Sequence, residues 1–521
     1  MKYFIPAWYN NGNWWEDKTT PYYSKRLVKE FDDMISLMNM YMKNGVDFEV
    51  LVLNYYPDLR IFLHRHNLYE AKYWSLFDEI QGFHHRTPHP IDYRELQWPE
   101  ETEFIYTPYL IRCVTSSTTY SNIYFNQYGY MIWIESYKDK VRQHRYIFDD
   151  RGFLSSVLNF DKSGQPYSQQ YMTIDGDSIF TVDLKQGTVK VSKKYYHRFN
   201  QQKYDSMELL LQEQMQKYVK AMINEQDNVI IAADERHNMF LSHILEDTPI
   251  CFSIFKNRNC PLTPSKLESI ERGKYWLVDM LENEASLKIY KDTQQLDTHI
   301  MRITPFDAQV LPNKSSQFYE TFVGFWIDGL DEVTLQNAFS KICKYVEQNE
   351  NLRLVLLTEV EEPKIPSWLI DEINNVNDRY NKISEDADGI QVLLDDEGER
   401  VEIIKLKHVP FESELIEAIS TLRVVIDLNE EPDLFLQISS MSAGIPQINM
   451  CETDYVKDKI NGIVIDNLNE VVAALDYYIN HLKNWNYSFA YSIKLVETYA
   501  SMNIIQRLNR WFEGEQNEAK I

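Results

Sequence analysis

The stretch Glu431-Pro-Asp-Leu-Phe-Leu-Gln-Ile-Ser-Ser-Met-Ser-Ala-Gly444-Ile-Pro446-Gln-Ile448 decides the architecture. An acidic loop leads into a short helix of small and apolar residues, Gln437 to Ala443. Gly444 follows, where a chain leaving a helix must pack tightly against the next strand. Pro446 stops the helix, and Pro446 to Asn449 reads as a buried strand. Leu422 to Leu428, just before the loop, is a strand as well. Strand, helix and strand joined this closely make one unit of a parallel sheet covered by helices.

The same alternation runs outward. Glu320 to Phe325, Leu352 to Val360 and Val401 to Leu406 read as strands, with helices over Val333 to Gln348, Ile365 to Tyr380, Phe411 to Thr421 and Glu470 to Lys483. Glu385 to Arg400 is an acidic, solvated turn region, and Ser488 to Phe512 is one long helix or two broken ones. The N-terminal half shows a second series. Lys2 to Trp8, Phe48 to Leu53, Asn228 to Ala233 and Pro249 to Phe255 are strands, and Tyr22 to Lys43, Leu68 to Ile80, Tyr204 to Asn224, Glu235 to Leu245 and Lys266 to Ala285 are helices. Between them, Tyr109 to Val191 has strand alternation and a recurring turn: Phe125-Asn126-x-x-Gly129, Phe148-Asp149-x-x-Gly152 and Phe160-Asp161-x-x-Gly164. Asn or Asp opens each turn through its side chain and Gly closes it at positive φ, which predicts an antiparallel β-meander. The expected domains are 1–108 and 197–316 for the first Rossmann-like domain, 109–196 for the inserted sheet, 317–485 for the second Rossmann-like domain and 486–521 for a C-terminal crossover helix.

Composition narrows the function. At ~150 residues per domain, 521 residues make about three domains. Fifty-three Lys and Arg against 78 Asp and Glu give a net charge of −25, which disfavours nucleic acid and bulk adsorption to anionic lipid. The five cysteines form no Cys-x-x-Cys pair and no His completes a ligand set, so reduced thiols, no structural metal and no cofactor are expected. The opening MKYFIPAWYNNGNWW is not a signal peptide, and the longest apolar runs are of strand length, so a cytoplasmic protein is expected.

Two tandem doubly wound domains place a cleft at the carboxyl ends of their strands. This architecture resembles a GT-B glycosyltransferase. In the retaining members of that class two glutamates are separated by seven residues, ahead of a small-residue helix and Gly-x-Pro. Here Glu431 takes the first position and Ser439 the second, followed by Ser440 and Gly444. Tyr455-Val-x-x-x-Ile-Asn-Gly462-Ile-Val-Ile is similar to the Asn-Gly turn entering a later strand. The resemblance also places Val-Gly-Arg, and a Lys a few residues on, at the end of the second domain's first strand. This chain has Phe322-Val-Gly-Phe325, with Asp328 close behind. A departing diphosphate needs cations or helix N-termini, and their loss raises the barrier by several kcal/mol. A degenerate donor site at Phe325, Asp328, Glu431, Ser439, Ser440 and Gly444 is expected, in a protein without catalytic residues. The alternative is an active retaining glycosyltransferase moving a sugar from a UDP-sugar to Ser or Thr.

Over nearly its whole length, PAWYNNGNWW, the inserted meander and the degenerate site resemble the first of the accessory Sec proteins of streptococci and staphylococci. The resemblance implies a component of the accessory Sec system that works with its two sister accessory proteins and the accessory SecA motor ATPase. Its implied cargo is a glycosylated serine-rich repeat adhesin preprotein, handled at the inner face of the membrane, where peripheral contact with lipids is open. Asn11, Gly12, Asn13, Trp14 and Trp15, following the first strand, are the candidate carbohydrate contacts, since rings stack on sugar CH faces and amides bond hydroxyls. A structural loop whose rings fill space is the competing reading. His84-His85-Arg86-Thr87-Pro88-His89-Pro90 and His64-Arg65-His66 read as solvated loops; metal ligation with Asp92 is the competing reading for the first, and contact with lipid headgroups or an acidic partner for both.

Overall fold

The computed structural model describes residues 1–10, 12–23, 32–84, 87–387 and 401–514. Asn11, His85, Arg86, the middle of the Tyr22 to Lys43 helix and most of the Glu385 to Arg400 region lie outside the described residues. The chain forms two compact units. The first is Met1–Asp279 with Asn283–Ile303, and the second is Met280–Glu282 with Thr304–Ile521.

The first unit carries a parallel sheet in the order His299–Arg302, Tyr275–Val278, Ile250–Ile254, Asn228–Ala232, Lys2–Ile5, Glu49–Val52, Lys72–Ser75. Helices on both faces explain why its central strands read as continuous apolar runs: Phe4, Ile230, Ile231 and Phe252 are fully buried. Two helices expected from sequence are partly strands. Lys72–Ser75 is the edge strand of this sheet, and only Leu76–Gln81 is helical, capped by Ser75. Within Lys266 to Ala285 the helix Pro264–Ser269 ends, and Tyr275–Val278 is a fully buried strand. A four-residue apolar run fits a helix and a strand equally, and the sheet decides. Gly273 marks the break, because a Cβ there would sit 2.6 Å from the Phe252 ring.

A ten-stranded antiparallel sheet is inserted, running in chain order from Glu103–Tyr106 to Lys203–Tyr204. Its turns follow the motif atom by atom. The side-chain oxygens of Asn126, Asp149 and Asp161 accept from the backbone N–H two residues on, at 3.0, 3.0 and 2.9 Å. Gly129, Gly152 and Gly164 close the turns at φ of 80°, 89° and 78°.

The second unit has a six-stranded parallel sheet in the order Ile404–His408, Leu352–Thr358, Thr321–Trp326, Leu422–Asp427, Gln447–Asn449, Gly462–Val464. Helices Glu332–Glu347, Leu434–Ser442 and Val471–Ile479 cover it. The C-terminal helix is broken into Leu482–Thr498 and Ser501–Phe512, and the Ser501 amide donates to Asp307 at 2.9 Å.

Candidate functional site

In a parallel α/β sheet, ligands meet the carboxyl ends of the strands. In the second unit those ends are acidic. Asp328 follows Thr321–Trp326 and accepts from the Thr358 hydroxyl at 2.5 Å and the Glu359 amide at 2.7 Å, tying two strand ends together. Asp427 ends the next strand and accepts from the Asn429 side chain at 2.7 Å and the Asp433 amide at 2.7 Å. Burial raises the Asp427 carboxyl to about 6, against the lowering effect of these donors. Among the described residues, every partner of Asp328 and Asp427 is an amide or a hydroxyl.

The helix N-termini beside them are taken as well. Asp331 caps Glu332–Glu347, accepting from the Val333 and Thr334 amides at 3.0 Å each. Asp433 caps Leu434–Ser442 through the Leu436 amide at 2.8 Å. Carboxylates thus occupy N–H groups that elsewhere cradle a phosphate. The first acid of the motif, Glu431, accepts from the Leu281 amide at 2.9 Å.

Ser439 and Ser440 lie on the Leu434–Ser442 helix and are buried. The Ser440 hydroxyl has no hydrogen-bond partner among the described residues. Gly444 has φ of 70°, and a Cβ there would meet the Phe489 ring at 2.3 Å, so its role in tight packing is explicit. Phe325 is not part of a binding surface. Strand alternation sends Val323, Phe325 and Ile327 into the core of the unit, and Phe325 is 0% exposed. Sequence reasoning missed Asn449, which ends the strand beside Asp427. It is fully buried, and neither atom of its amide has a hydrogen-bond partner among the described residues. Its signal was a polar residue closing an apolar strand.

In the first unit the loop after Lys2–Ile5 is held from beneath. Arg236 grips Asp234 through two bonds of 2.9 and 2.6 Å and donates to the Asn10 and Gly12 carbonyls at 2.6 and 3.1 Å. His237 lies 2.9 Å from the Ala232 carbonyl through Nε2. That nitrogen must carry the proton, so Nδ1 accepts from the Tyr9 hydroxyl at 2.6 Å. Complete burial lowers the His237 pKa to about 4. Arg258 pairs with Asp33 at 2.8 and 3.1 Å. Both guanidiniums at these strand ends therefore carry their own carboxylates.

The candidate sugar loop divides. Gly12 and Asn13 are exposed, and Asn13 donates to Glu16 at 2.8 Å. Trp15 is half-buried. Trp14 is 2% exposed and packs against Phe240 at 4.8 Å and Trp15 at 5.4 Å, so it has no face left to stack on a ligand. Asn11 is outside the described residues. Among the described residues no group of three or more His, Cys, Asp or Glu is arranged to hold a metal ion, and no helix is long and apolar enough to cross a membrane.

Comparison with known proteins fits this geometry. A solved complex of accessory secretory proteins 1, 2 and 3 from Streptococcus pneumoniae contains a chain with 27% identity and a TM-score of 0.76, covering all of both chains. A chain of the glycosylation-associated protein complex of Streptococcus agalactiae gives 29% and 0.73 over 98% of this chain and 99% of that one. The pneumococcal O-GlcNAc transferase GtfA, solved with UDP and GlcNAc, shares the fold at 13% identity and a TM-score of 0.66 over 99% of each chain. The fold is thus GT-B-like. Accessory Sec system protein 1 of Staphylococcus aureus is 46% identical over 518 residues, covering 99% of this chain and all of the relative. Its Streptococcus gordonii counterpart is 30% identical over 533 residues, again 99% of this chain and all of the relative. The family profile for accessory Sec system protein 1 matches residues 1–515, and the chain belongs to that family.

Proposed function

We propose that this chain is a non-catalytic, glycosyltransferase-like component of the accessory Sec export system. It binds a glycosylated serine-rich adhesin preprotein and passes it to the accessory SecA motor, in a complex with the two sister accessory proteins. The observation that carries this reading is the electrostatics of the second unit. Asp328, Asp331 and Asp427 stand at its strand ends and a helix N-terminus, bound among the described residues to amides and hydroxyls. A nucleoside diphosphate brought there meets carboxylates instead of cations. Neutral sugar hydroxyls carry no such penalty, and the exposed Gly12 and Asn13 with the half-buried Trp15 are the proposed carbohydrate contacts. The related chains in the pneumococcal complex of accessory secretory proteins 1, 2 and 3 support the proposed partners.

Titration with glycosylated and bare serine-rich peptides tests the proposal. Tighter binding of the glycosylated peptide, weakened by Trp15→Ala, is expected. Equal affinity for the two peptides contradicts the carbohydrate contact. An active retaining glycosyltransferase is the second reading, favoured by Glu431 at the motif's first position, and it requires turnover of a UDP-sugar that Glu431→Ala abolishes.

A further inference from the structure

One face of the inserted sheet carries a ladder of cations and rings running across the strands. Arg112, on Ile111–Val114, lies over the Tyr120 ring at 4.8 Å. Tyr120 stacks on Tyr137 of the next strand at 4.8 Å, with the rings only 6° from parallel. Arg142, one strand further, donates through Nε to the Tyr137 hydroxyl at 3.2 Å and reaches the Phe160 ring at 4.9 Å. The register pairs Val114 with Tyr120, Tyr120 with Tyr137 and Tyr137 with Arg142, which places these residues on one face of the sheet.

The charges on this face are unequal. Glu135 takes Arg145 at 2.6 Å and Arg142 at 3.4 Å. Arg112 is exposed, and its Nε donates to the Asn122 side-chain oxygen at 3.0 Å. Among the described residues it has no carboxylate partner, and the other acid on this face, Glu103, sits on the edge strand. A guanidinium fixed by an amide and a ring, with its remaining N–H groups open, is preorganised for a carboxylate. It stands out on a chain of net charge −25.

We propose that this Arg–Tyr face of the inserted sheet docks an extended acidic segment of a partner protein, with Arg112 receiving a carboxylate. Tyr109, 61% exposed, and Tyr23, 40% exposed, meet edge to face at 5.7 Å and provide aromatic contact rather than an aliphatic surface suited to acyl chains. Charge complementarity selects the occupant and makes the association salt-dependent.

Fluorescence anisotropy of the full chain with labelled serine-rich dodecapeptides tests this. One peptide carries Glu at positions 4 and 8, and the others carry Gln at one or both of these positions. The first is expected to bind tightest, and Arg112→Gln is expected to weaken it about tenfold while the thermal midpoint stays unchanged. Arg112→Lys restores part of the loss. Equal affinity for the Glu and Gln peptides, or an Arg112→Gln protein that binds as well as the parent, overturns the proposal. Binding of phosphatidylglycerol vesicles or inorganic phosphate that depends on Arg112 while the peptides fail to bind overturns it in favour of those ligands.

Discussion

Arg60, on helix Leu59–Arg65, donates through Nε to Asp150 of the inserted sheet at 2.7 Å, ninety residues away in sequence and fully buried. The same guanidinium reaches Asp149 and Asp78 at 2.9 Å each. Arg151 closes the network onto Asp149 at 2.6 Å and onto Asp78 at 2.8 Å. Two cations and three carboxylates thus join the meander to the parallel sheet it interrupts. Removing one member of a buried ion network leaves the others uncompensated at about 3–5 kcal/mol. Arg60→Ala is expected to loosen the meander specifically. Hydrogen exchange should rise across Val141–Phe148 and Leu154–Phe160 while Leu422–Asp427 in the second unit stays protected. Unchanged exchange in the two meander strands contradicts this role.

Gly444 is the second structural commitment. Positive φ costs a residue with Cβ roughly 1–2 kcal/mol, and the Phe489 ring stands where that Cβ must go. Gly444→Ala should therefore lower stability by about 2–4 kcal/mol by denaturant unfolding. Adding Phe489→Ala should recover the steric share and leave the backbone share. Strict additivity of the two substitutions contradicts the contact.

How much of this was legible in the sequence depends on range. The turn motif at Phe125, Phe148 and Phe160 was readable because its hydrogen bonds are local, from a side-chain oxygen to the amide two residues on. Only the middle copy continues Asp149-Asp150-Arg151, and nothing nearby shows that Arg60 completes it. The Glu431 to Ile448 stretch gave its helix, glycine and strand from spacing. Phe325 was misread because a strand position shows only which residue replaced a cation. The direction of its side chain follows from the pairing of Thr321–Trp326 with both neighbours. Trp14 and Trp15 look equivalent in sequence, and Phe240 on a distant helix decides which one is buried.

His237 gives a pH signature. Burial holds its folded pKa at about 4, below the ordinary value of 6.5. The unfolded chain therefore binds the proton first as pH falls, and stability drops between about pH 6.5 and 4, by about 3 kcal/mol for this group. Asp427 and Asp279, both raised by burial to about 6, act in the opposite direction over part of that window, because protonating them favours the folded state. The informative quantity is the difference between the parent and His237→Gln. The parent should lose more stability on acidification from pH 6.5 to 4.5, and parallel profiles contradict a buried neutral imidazole.

Under the proposed function the second unit holds no nucleotide. Titration calorimetry of the full chain with UDP-GlcNAc and with UDP measures it directly. The strand-end acids and self-capped helices predict no binding up to millimolar ligand and no sugar transfer to a serine-rich peptide. Micromolar affinity for UDP, with turnover that disappears in Glu431→Ala, would show that an active donor site survives.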